Sequence, residues 1–341
     1  MAGVIPIGLD IGSSSIRAVE VRRAKDDYSL TNFGQIPLPP AAVTGGVVQD
    51  PAIVTSALKQ LWAACKFGTR HVTVGVTNPQ LVVREMSVSN LPAKEMRQAL
   101  PFEVKDALPL PVERSLLDFY PLEQPGDNPT VRGLLIAMPK DAVNVVVEAV
   151  EKAGLHVDAV DLASFALLRA ASRLDAQVEA IVDMGAEVTS VVVHADGAPL
   201  IVRTVPRGGK EISETMAGRL GIPPAEAEAL KCRFGLHGDG SPQTASAIAD
   251  AVRPLVNELR SSFTYLASGE RQKQVTRVAL AGGSALMPGL AEHLQQQLGI
   301  TVMYADSASR LRDTRRGRSR GFDSFMPSAA VSIGLTLGAA A

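Results

Sequence analysis

A turn near the start of the chain combines residue types that bind phosphate. In the stretch IPIGLDIGSSSIRAVEV, an apolar run ends at Asp10, and Gly12, Ser13, Ser14 and Ser15 lead into an alternating pattern typical of a second strand. Tight hairpins commonly turn on Asn-Gly or Asp-Gly, whereas glycine followed by three hydroxyl residues presents backbone N–H groups and hydroxyls to an anion. The spacing therefore predicts a phosphate-binding loop.

The same pattern returns in the middle of the chain. The stretch AIVDMGAEVTSVVVHADGAPLIVRTV has an apolar run, Asp183, Gly185 and a short polar turn before a new strand, and Asp196-Gly197 then predicts a hairpin. Two such loops facing each other across a cleft can hold a polyphosphate, while Asp10 and Asp183 hold Mg²⁺ through water. We therefore expect a duplicated unit, with one loop from each lobe.

A diglycine supplies a third candidate contact. The run from Val275 to Leu280 predicts a buried strand, and it is followed by Gly282, Gly283, Ser284 and then a helix from about Pro288. A strand, two glycines and a helix start allow the backbone to approach a ligand closely. In this context the arrangement favours an adenosine.

Two further candidates lie between the second turn and the diglycine. Gly208 and Gly209 precede a predicted helix, and Glu228 and Lys231 lie one helical turn apart further on. On one helix face, this pair could bracket a ribose and an adenine. The spacing is equally typical of a surface ion pair, and the sequence leaves both interpretations open.

Bulk composition limits the proteins to which these elements can belong. A chain of 341 residues exceeds the roughly 250–300 residues at which single cores stop growing, so we expect two lobes and a cleft. The formal net charge of −1 argues against the basic domain that general nucleic-acid binding requires. The apolar stretch AAVSIGLTLGAAA is far shorter than the ~20 residues that span a bilayer.

Cysteine and histidine usage predicts neither disulfides nor a zinc site. Cys65 and Cys232 are the two cysteines, and the chain has no charged-then-apolar leader, which favours a reducing cytosol. The five histidines show no metal-ligand spacing. We therefore expect His71, His156 and His194 to be structural or solvated.

Five segments together resemble a known superfamily. GLDIGSSSIRAVE, VDLASFALLRA, VDMGAEVTSVVV and VALAGGSALMPGL follow the order of motifs in the actin, Hsp70 and sugar-kinase ATPases. Within that superfamily, LPAKEMRQALPFEVKDALPLPVERSLLDFYPLE is similar to the PilM family of bacterial type IV pilus assembly proteins. The resemblance covers essentially the whole chain. It implies a two-lobed, actin-like α/β ATPase fold built on duplicated ribonuclease H-like cores.

The predicted domain boundaries follow from the element pattern and this resemblance. The first-lobe core is expected at 1–83, continued by 158–180, with a small α+β insert at 84–157. Pro101 should kink or split the first helix of this insert. The second lobe is expected at 181–341, with a helical subdomain at about 207–272.

The resemblance also implies roles for individual residues. Asp10 and Asp183 match the magnesium-facing aspartates, and Arg17 stands where many relatives have a lysine that reaches the phosphates. Three groups match the phosphate, ribose and adenosine contacts of the family: Gly12, Ser13, Ser14 and Ser15; Gly185, Gly208 and Gly209; Gly282, Gly283 and Ser284. The implied cofactors are ATP and Mg²⁺.

The residues expected to support hydrolysis depart from the superfamily pattern. Asp161 occupies the place of the glutamate or glutamine that orients the attacking water, and it is one methylene shorter. Ala186 occupies a site where actin-type members carry an acid. Because near-attack geometry matters at the ~1 Å level, both departures favour a nucleotide-binding assembly protein that is not an enzyme, or is at most a slow ATPase.

The function implied by the resemblance is that of a scaffold. The resemblance implies an ATP-binding component of the type IV pilus inner-membrane assembly platform, which is cytoplasmic and attached to the membrane through partners. It would bind the cytoplasmic N-terminal tail of PilN between the first-lobe core and the insert, contact other platform or motor proteins, and couple nucleotide state to pilus biogenesis through lobe closure. No nucleic-acid partner is expected.

Two other readings remain open at this stage. A small-molecule kinase of the same superfamily would share the phosphate elements, but we find no clear general base for it. An actin-like cell-division or cytoskeletal protein would be expected to end in an amphipathic membrane helix, and SIGLTLGAAA lacks the charged face of one. The arginine-rich segment Arg310–Arg320 could be a solvated loop or could aid membrane contact.

Overall fold

The computed structural model describes residues 5–24, 27–123, 126, 128–237, 241–268, 272–313 and 321–339. Within them the strands, in chain order, are β1 (Ile7–Ile11), β2 (Ser15–Ala24), β3 (Asp27–Pro37), β4 (Val43–Thr44), β5 (Val47–Val48), β6 (His71–Val76), β7 (Val82–Ser89), β8 (Ser115–Pro121), β9 (Thr130–Pro139), β10 (His156–Leu162), β11 (Val178–Met184), β12 (Thr189–Ala195), β13 (Ala198–Val205), β14 (Arg277–Ala281), β15 (Thr301–Tyr304) and β16 (Leu311–Asp313).

The helices of the described residues connect and cover these strands. In chain order they are α1 (Pro51–Cys65), α2 (Ala93–Glu103), α3 (Lys140–Lys152), α4 (Ala163–Ala171), α5 (Gly209–Leu220), α6 (Pro224–Phe234), α7 (Pro242–Ser268), α8 (Leu290–Leu298), α9 (Phe322–Phe325) and α10 (Ala330–Ala339). None of these helices combines the length and the apolar character needed to cross a membrane.

Two mixed sheets form the two lobes. The first has the order β10-β6-β1-β2-β3-β16, and the second has the order β13-β12-β11-β14-β15. In each sheet the strand before a candidate phosphate loop pairs antiparallel with the strand after it and parallel with a strand from further along the chain. This repeated topology confirms the predicted α/β class with two related lobes.

A separate small sheet forms the insert. Strands β7, β9 and β8 pair antiparallel, and α2 packs on them through Met96 and Leu100. Because proline lacks the N–H and its ring crowds the preceding turn, α2 ends two residues after Pro101, and a 3₁₀ turn follows at Lys105–Ala107.

The insert is shorter than the predicted segment 84–157. Helix α3 buries Val143 and Val146 in the first-lobe core, and its Ala149 carbonyl accepts a hydrogen bond from Thr55 of α1 at 2.9 Å. Strand β10 pairs in parallel with β6 of the first sheet. Both elements therefore belong with the first-lobe core, because long-range pairing decides their place and local periodicity does not reveal it.

The end of the chain also packs on the first lobe, whereas we expected residues 181–341 to form the second. Strand β16 pairs with β3, and α10 lies directly on β1, where a Cβ on Gly8 would come within 1.9 Å of the Ser332 carbonyl oxygen. Thr336 accepts a hydrogen bond from the Gly8 N–H at 3.0 Å. Because Gly8 has no side chain, the buried helix α10 can approach the sheet closely.

Candidate functional site

A cleft between the two lobes collects most of the predicted site residues. Its volume is about 760 Å³, within the range of small-molecule sites. The predicted residues that line it are Ser13, Ser14, Arg17, Gly185, Gly209, Glu228, Lys231, Gly283 and Ser284. At its inner end a smaller space of about 80 Å³ is lined by Asp10, Gly12, Asp183 and Gly282.

The two glycine turns have the same backbone geometry. The Gly12 N–H donates to the Ser15 carbonyl oxygen at 3.0 Å, and the Gly185 N–H donates to the Val188 carbonyl oxygen at 3.0 Å. Each turn joins a pair of antiparallel strands directly after its aspartate. The duplicated pattern in the sequence is therefore a duplicated structure, with both turns facing the cleft.

The two aspartates lie together in an environment that disfavours negative charge. Arg17 contacts Asp10 at 3.3 Å, and both side chains are largely buried. Burial raises the pKa of Asp10, and Arg17 only partly offsets this. Burial and the negative charge of Asp10 together raise the pKa of Asp183 to about 6, although Arg17 acts in the opposite direction. A divalent metal ion bound between these two carboxylates would stabilise their ionised forms.

Buried polar atoms near the first turn support an anionic ligand. Arg17 Nε and Ser15 Oγ are buried and lack a hydrogen-bond partner among the residues that the structure describes. A buried donor without a partner costs free energy, and a phosphate oxygen supplies a partner for a guanidinium. Arg17 also lines the cleft, so its guanidinium can reach a ligand there.

The second-lobe glycines allow three segments to meet. Ser284 Oγ donates to the Gly185 carbonyl oxygen at 2.8 Å, and the Gly209 N–H donates to the same oxygen at 3.0 Å. A Cβ on Gly209 would come within 2.2 Å of Ser284 Oγ, and one on Gly208 would come within 2.5 Å of the Ala186 carbonyl oxygen. These close approaches hold α5, the second turn and the diglycine around one end of the cleft.

The diglycine has two distinct roles. Gly282 has a φ of +90°, and a Cβ there would come within 2.5 Å of both Asp183 Oδ1 and the Met184 carbonyl oxygen. Around Gly283, by contrast, a Cβ would meet no heavy atom within 4 Å. Gly282 therefore allows the chain to pass Asp183, while Gly283 leaves open space in the cleft.

Glu228 and Lys231 form a partly buried polar anchor, an ion pair in which the Glu228 side chain is half exposed. Lys231 is 4% exposed, and its Nζ donates at 2.7 Å both to Glu228 and to the Gly209 carbonyl oxygen. Burial acts to raise the pKa of Glu228, but hydrogen bonds from Lys231 and Ser213 outweigh it and lower the pKa. Both side chains line the cleft, and their predicted contact with a ribose or adenine stays a prediction.

Glu187 is a cleft residue for which the sequence pattern predicted no role. One of its carboxylate oxygens accepts the Gly45 N–H of the first lobe at 2.7 Å, and the other accepts Lys210 Nζ of the second lobe at 2.6 Å. Burial acts to raise the Glu187 pKa, but these hydrogen bonds outweigh it and hold the pKa below its usual value. Glu187 therefore joins the two lobes across the cleft.

The cleft also has an apolar wall that the sequence did not predict, because residue type does not reveal which apolar side chains face a cleft. Leu38 and Pro40 approach from the first lobe, and Leu286 and Met287 approach from the second. Leu286 is 46% exposed although it is a large apolar residue. Apolar side chains opposite a polar anchor are typical of a pocket for a ring system.

Asp161 does not line the cleft, in contrast to its predicted role near the reacting phosphate. It lies on β10 and forms an ion pair with Arg169, whose Nε donates to the Gly334 carbonyl oxygen of α10. Its other carboxylate oxygen accepts the Leu162 N–H. Asp161 instead borders a second groove, so the geometry gives no support to a water-orienting role.

This second groove lies between the insert and the first-lobe core. Its volume is about 370 Å³, and strands β8 and β10 supply much of its lining together with Phe165 of α4. Three of its apolar side chains, Leu116, Tyr120 and Val160, are about 40% exposed. The Tyr120 and Phe165 rings pack with their centroids 5.3 Å apart across the groove.

The arginine-rich segment falls mostly outside the described residues. Arg310 is described, and it donates hydrogen bonds to Ser172. Arg312 lies on β16, while Arg315, Arg316, Arg318 and Arg320 lie in the range 314–320, which the structure does not describe. The predicted role in membrane contact stays a prediction.

Comparison with known proteins identifies the family. The family model described as "Type IV pilus assembly protein PilM" matches residues 8–340. The chain belongs to the type IV pilus assembly protein PilM family. The resemblance seen in the sequence is thereby confirmed.

Known structures agree with the fold. The chain is 29% identical to a chain of the PilM-PilN type IV pilus biogenesis complex, with a TM-score of 0.87 and 99% of each chain covered. It is similar in fold to MreB5 of Spiroplasma citri bound to ADP, at 10% identity and a TM-score of 0.54, covering 93% of this chain and 98% of that one. The predicted actin-like ATPase fold is thereby confirmed.

A curated relative from cell division is also similar to this chain. The cell division protein FtsA of Neisseria meningitidis is 22% identical over 341 residues, covering 86% of this chain and 82% of FtsA. The family model nevertheless assigns this chain to the pilus proteins.

Proposed function

We propose that this chain is the ATP-binding, actin-like component of a type IV pilus inner-membrane assembly platform. The observation that carries the proposal is the match to the PilM-PilN complex over 99% of both chains, together with an exposed apolar groove beside the insert. A scaffold of this kind needs two surfaces, one for a nucleotide and one for a partner. The cleft and the groove would supply them, and they share no lining residue.

The cleft fits Mg-ATP by the chemistry of its residues. The backbone N–H groups and hydroxyls of the two turns, with Arg17, would hold the phosphates, and Asp10 and Asp183 would hold Mg²⁺ through water. The bound magnesium would supply the positive charge that these two carboxylates lack. The Glu228–Lys231 anchor and the apolar wall around Leu286 would bind the nucleoside.

The groove fits the N-terminal cytoplasmic segment of a PilN-like protein. It is bordered by β10, the edge strand of the first sheet, whose outer backbone groups can pair with an extended peptide. The exposed side chains of Leu116, Tyr120 and Val160 offer apolar contacts for alternate residues of such a peptide. Through this partner, the chain would sit under the membrane together with other platform or motor proteins.

Nucleotide binding would act as a switch with little or no turnover. Asp161, the expected water-orienting residue, is paired with Arg169 outside the cleft, and Ala186 stands in the second turn where an acid would be needed. A ligand that contacts both turns stabilises the closed arrangement of the lobes, and the groove on the first lobe can transmit that state to the partner.

Titration calorimetry on the full chain tests the proposal. Mg-ATP and a peptide copying the cytoplasmic N-terminus of a PilN-like protein from the same organism are titrated separately and together. Asp10→Ala should lose the nucleotide and keep the peptide, whereas Tyr120→Ala should lose much of the peptide affinity and keep the nucleotide. Glu113→Ala, a change on the exposed surface of the insert outside both sites, serves as the control.

Two outcomes would contradict the proposal. If Mg-ATP binds but the peptide does not, while a sugar or small acid stimulates turnover, the kinase reading replaces it. If neither ligand binds the folded wild-type chain, the role of the cleft and the groove is overturned.

A further inference from the structure

Two histidines and an aspartate meet at the edge of the first-lobe sheet. His71 begins β6 and His156 begins β10, and the two are direct partners in the parallel pairing of these strands. His71 Nδ1 lies 2.7 Å from Asp158 Oδ1, and His156 Nε2 lies 3.5 Å from the same oxygen. No metal-ligand spacing is visible in the sequence, because 87 residues separate His71 from Asp158.

The backbone places these three side chains on one surface. The register between β10 and β6 shifts between Val157 and Ala159, which leaves Asp158 as an extra residue without a partner on β6. Bulges of this kind redirect a side chain. The His156 N–H donates to the Arg70 carbonyl oxygen at 2.8 Å, and Arg70 donates to the Gly154 carbonyl oxygen, so the starts of both strands are tied together.

We infer that His71, His156 and Asp158 form a binding site for a divalent transition metal, with Zn²⁺ as its best match. One ligand atom from each residue lies within 4.8 Å of the other two. In a tetrahedral zinc site with bonds of about 2.0–2.1 Å, ligand atoms lie about 3.3 Å apart, so small side-chain rotations suffice. Two imidazoles and one carboxylate select Zn²⁺, Cu²⁺ or Ni²⁺ over Mg²⁺ and Ca²⁺.

The side chains of His71, His156 and Asp158 are partly exposed, which gives a bound metal access to solvent and to a second molecule. The side chains of His71, Asp158 and His156 are 50%, 31% and 66% exposed, so the metal is open to solvent. Three protein ligands leave a coordination position for water or for a donor atom of a second molecule. The metal also joins β6 to β10, and β10 supplies Val160 and Asp161 to the groove beside the insert. Bound metal therefore stiffens one wall of that groove.

Zinc competition with untagged full-length protein tests this inference. ZnCl₂ is titrated in the presence of a chromophoric chelator against the wild type, His71→Ala, His156→Ala and Asp158→Asn. His237→Ala is the matched control, since His237 is also exposed and lies outside the cluster. Losing even an outer-shell partner of a metal costs about 10- to 100-fold in affinity, so losing a direct ligand should cost about 100-fold or more.

The expected result is one Zn²⁺ per wild-type chain, a loss of about 100-fold in both cluster alanine variants, and no change in His237→Ala. Because the two imidazoles are exposed, these variants should retain the wild-type circular dichroism spectrum. Equal zinc affinity of the wild type and His156→Ala overturns the inference, as does a wild type that binds no zinc. Asp10→Asn should keep its zinc, so the result is independent of the proposed nucleotide site.

Discussion

The two glycine turns share one backbone geometry and have different surroundings. In the first, Asp10 is paired with Arg17. In the second, Asp183 has Ser190 at the corresponding position of the strand pairing, and Gly282 passes against its carboxylate. Burial and the negative charge of Asp10 raise the pKa of Asp183 to about 6. Duplication thus reproduces the turn, while the neighbouring strands and helices decide the charge state of its aspartate.

The positions after each glycine differ as well. In the first turn, the Ser13 hydroxyl hydrogen-bonds Glu187, while Ser15 Oγ is buried without a partner among the described residues. The second carries Glu187, which already bridges Gly45 of the first lobe and Lys210 of the second. The first turn is therefore suited to binding, and the second combines binding with a connection between the lobes.

The largest expected effect is a difference in stability between alanine variants of the two neighbouring glycines beside the second turn. Gly282→Ala should lower the free energy of unfolding by about 3 kcal/mol or more, because it forces a side chain into a glycine-only conformation and against Asp183. Gly283→Ala, with open space around it, should change stability by less than about 1 kcal/mol. Urea denaturation compares them, and equal losses in both variants would contradict the contrast.

The raised pKa of Asp183 predicts a stabilising substitution. The folded state holds the proton up to about pH 6, whereas an unfolded aspartate with a pKa near 3.8 releases it earlier, so ionised Asp183 destabilises the fold above pH 6. Asp183→Asn should stabilise the chain by about 2 kcal/mol at pH 7.5, allowing for partial solvent contact. The gain should shrink as the pH falls from 6 toward 4.

Asp10→Asn provides the matched measurement in the first turn. It should stabilise less than Asp183→Asn, or destabilise, because it leaves the Arg17 guanidinium without its carboxylate. Denaturation midpoints at pH 7.5 and pH 4.5 distinguish the variants. A gain for Asp183→Asn that is the same at both pH values would show that ionisation is not its cause.

Removing Arg17 should weaken ligand binding. Arg17→Ala is expected to weaken Mg-ATP binding about tenfold, the value of one charge-assisted hydrogen bond. Ser190 pairs with Asp183 as Arg17 pairs with Asp10. Ser190→Ala should weaken Mg-ATP binding less than about threefold. Titration calorimetry measures both, and a larger loss in Ser190→Ala would reverse the assignment of the phosphate contact.

The smallest effect concerns the connection between the lobes. Glu187→Gln weakens the bond to Lys210, whose side chain is half exposed, so the free energy of unfolding should fall by less than about 1 kcal/mol. Exchange of the Gly45 amide hydrogen should nevertheless become faster. Lys210→Gln should give a similar, weaker change, and unchanged Gly45 exchange in Glu187→Gln would argue against the bridge.

Much of the site could be predicted because its turns have local sequence patterns. Alternating apolar residues around glycine predict a strand, a turn and a strand, and the repeat of this pattern predicts two lobes. Asp10, Asp183 and the diglycine were found in this way, and the structure brings them to one cleft. The surroundings of Asp161 could not be predicted, because its pairing with Arg169 depends on how β10 and α4 pack, which local spacing does not report.

The sequence by itself determined the two turns, the antiparallel strand pairs around them and the family resemblance, since short-range hydrogen bonding and residue type suffice for each. Only the tertiary structure decided that α10 covers β1, that Glu187 reaches Gly45, and that His71 meets His156 and Asp158. Each of these contacts joins residues that are 80 or more positions apart. Such contacts depend on strand pairing and helix packing across the whole chain, which no local pattern encodes.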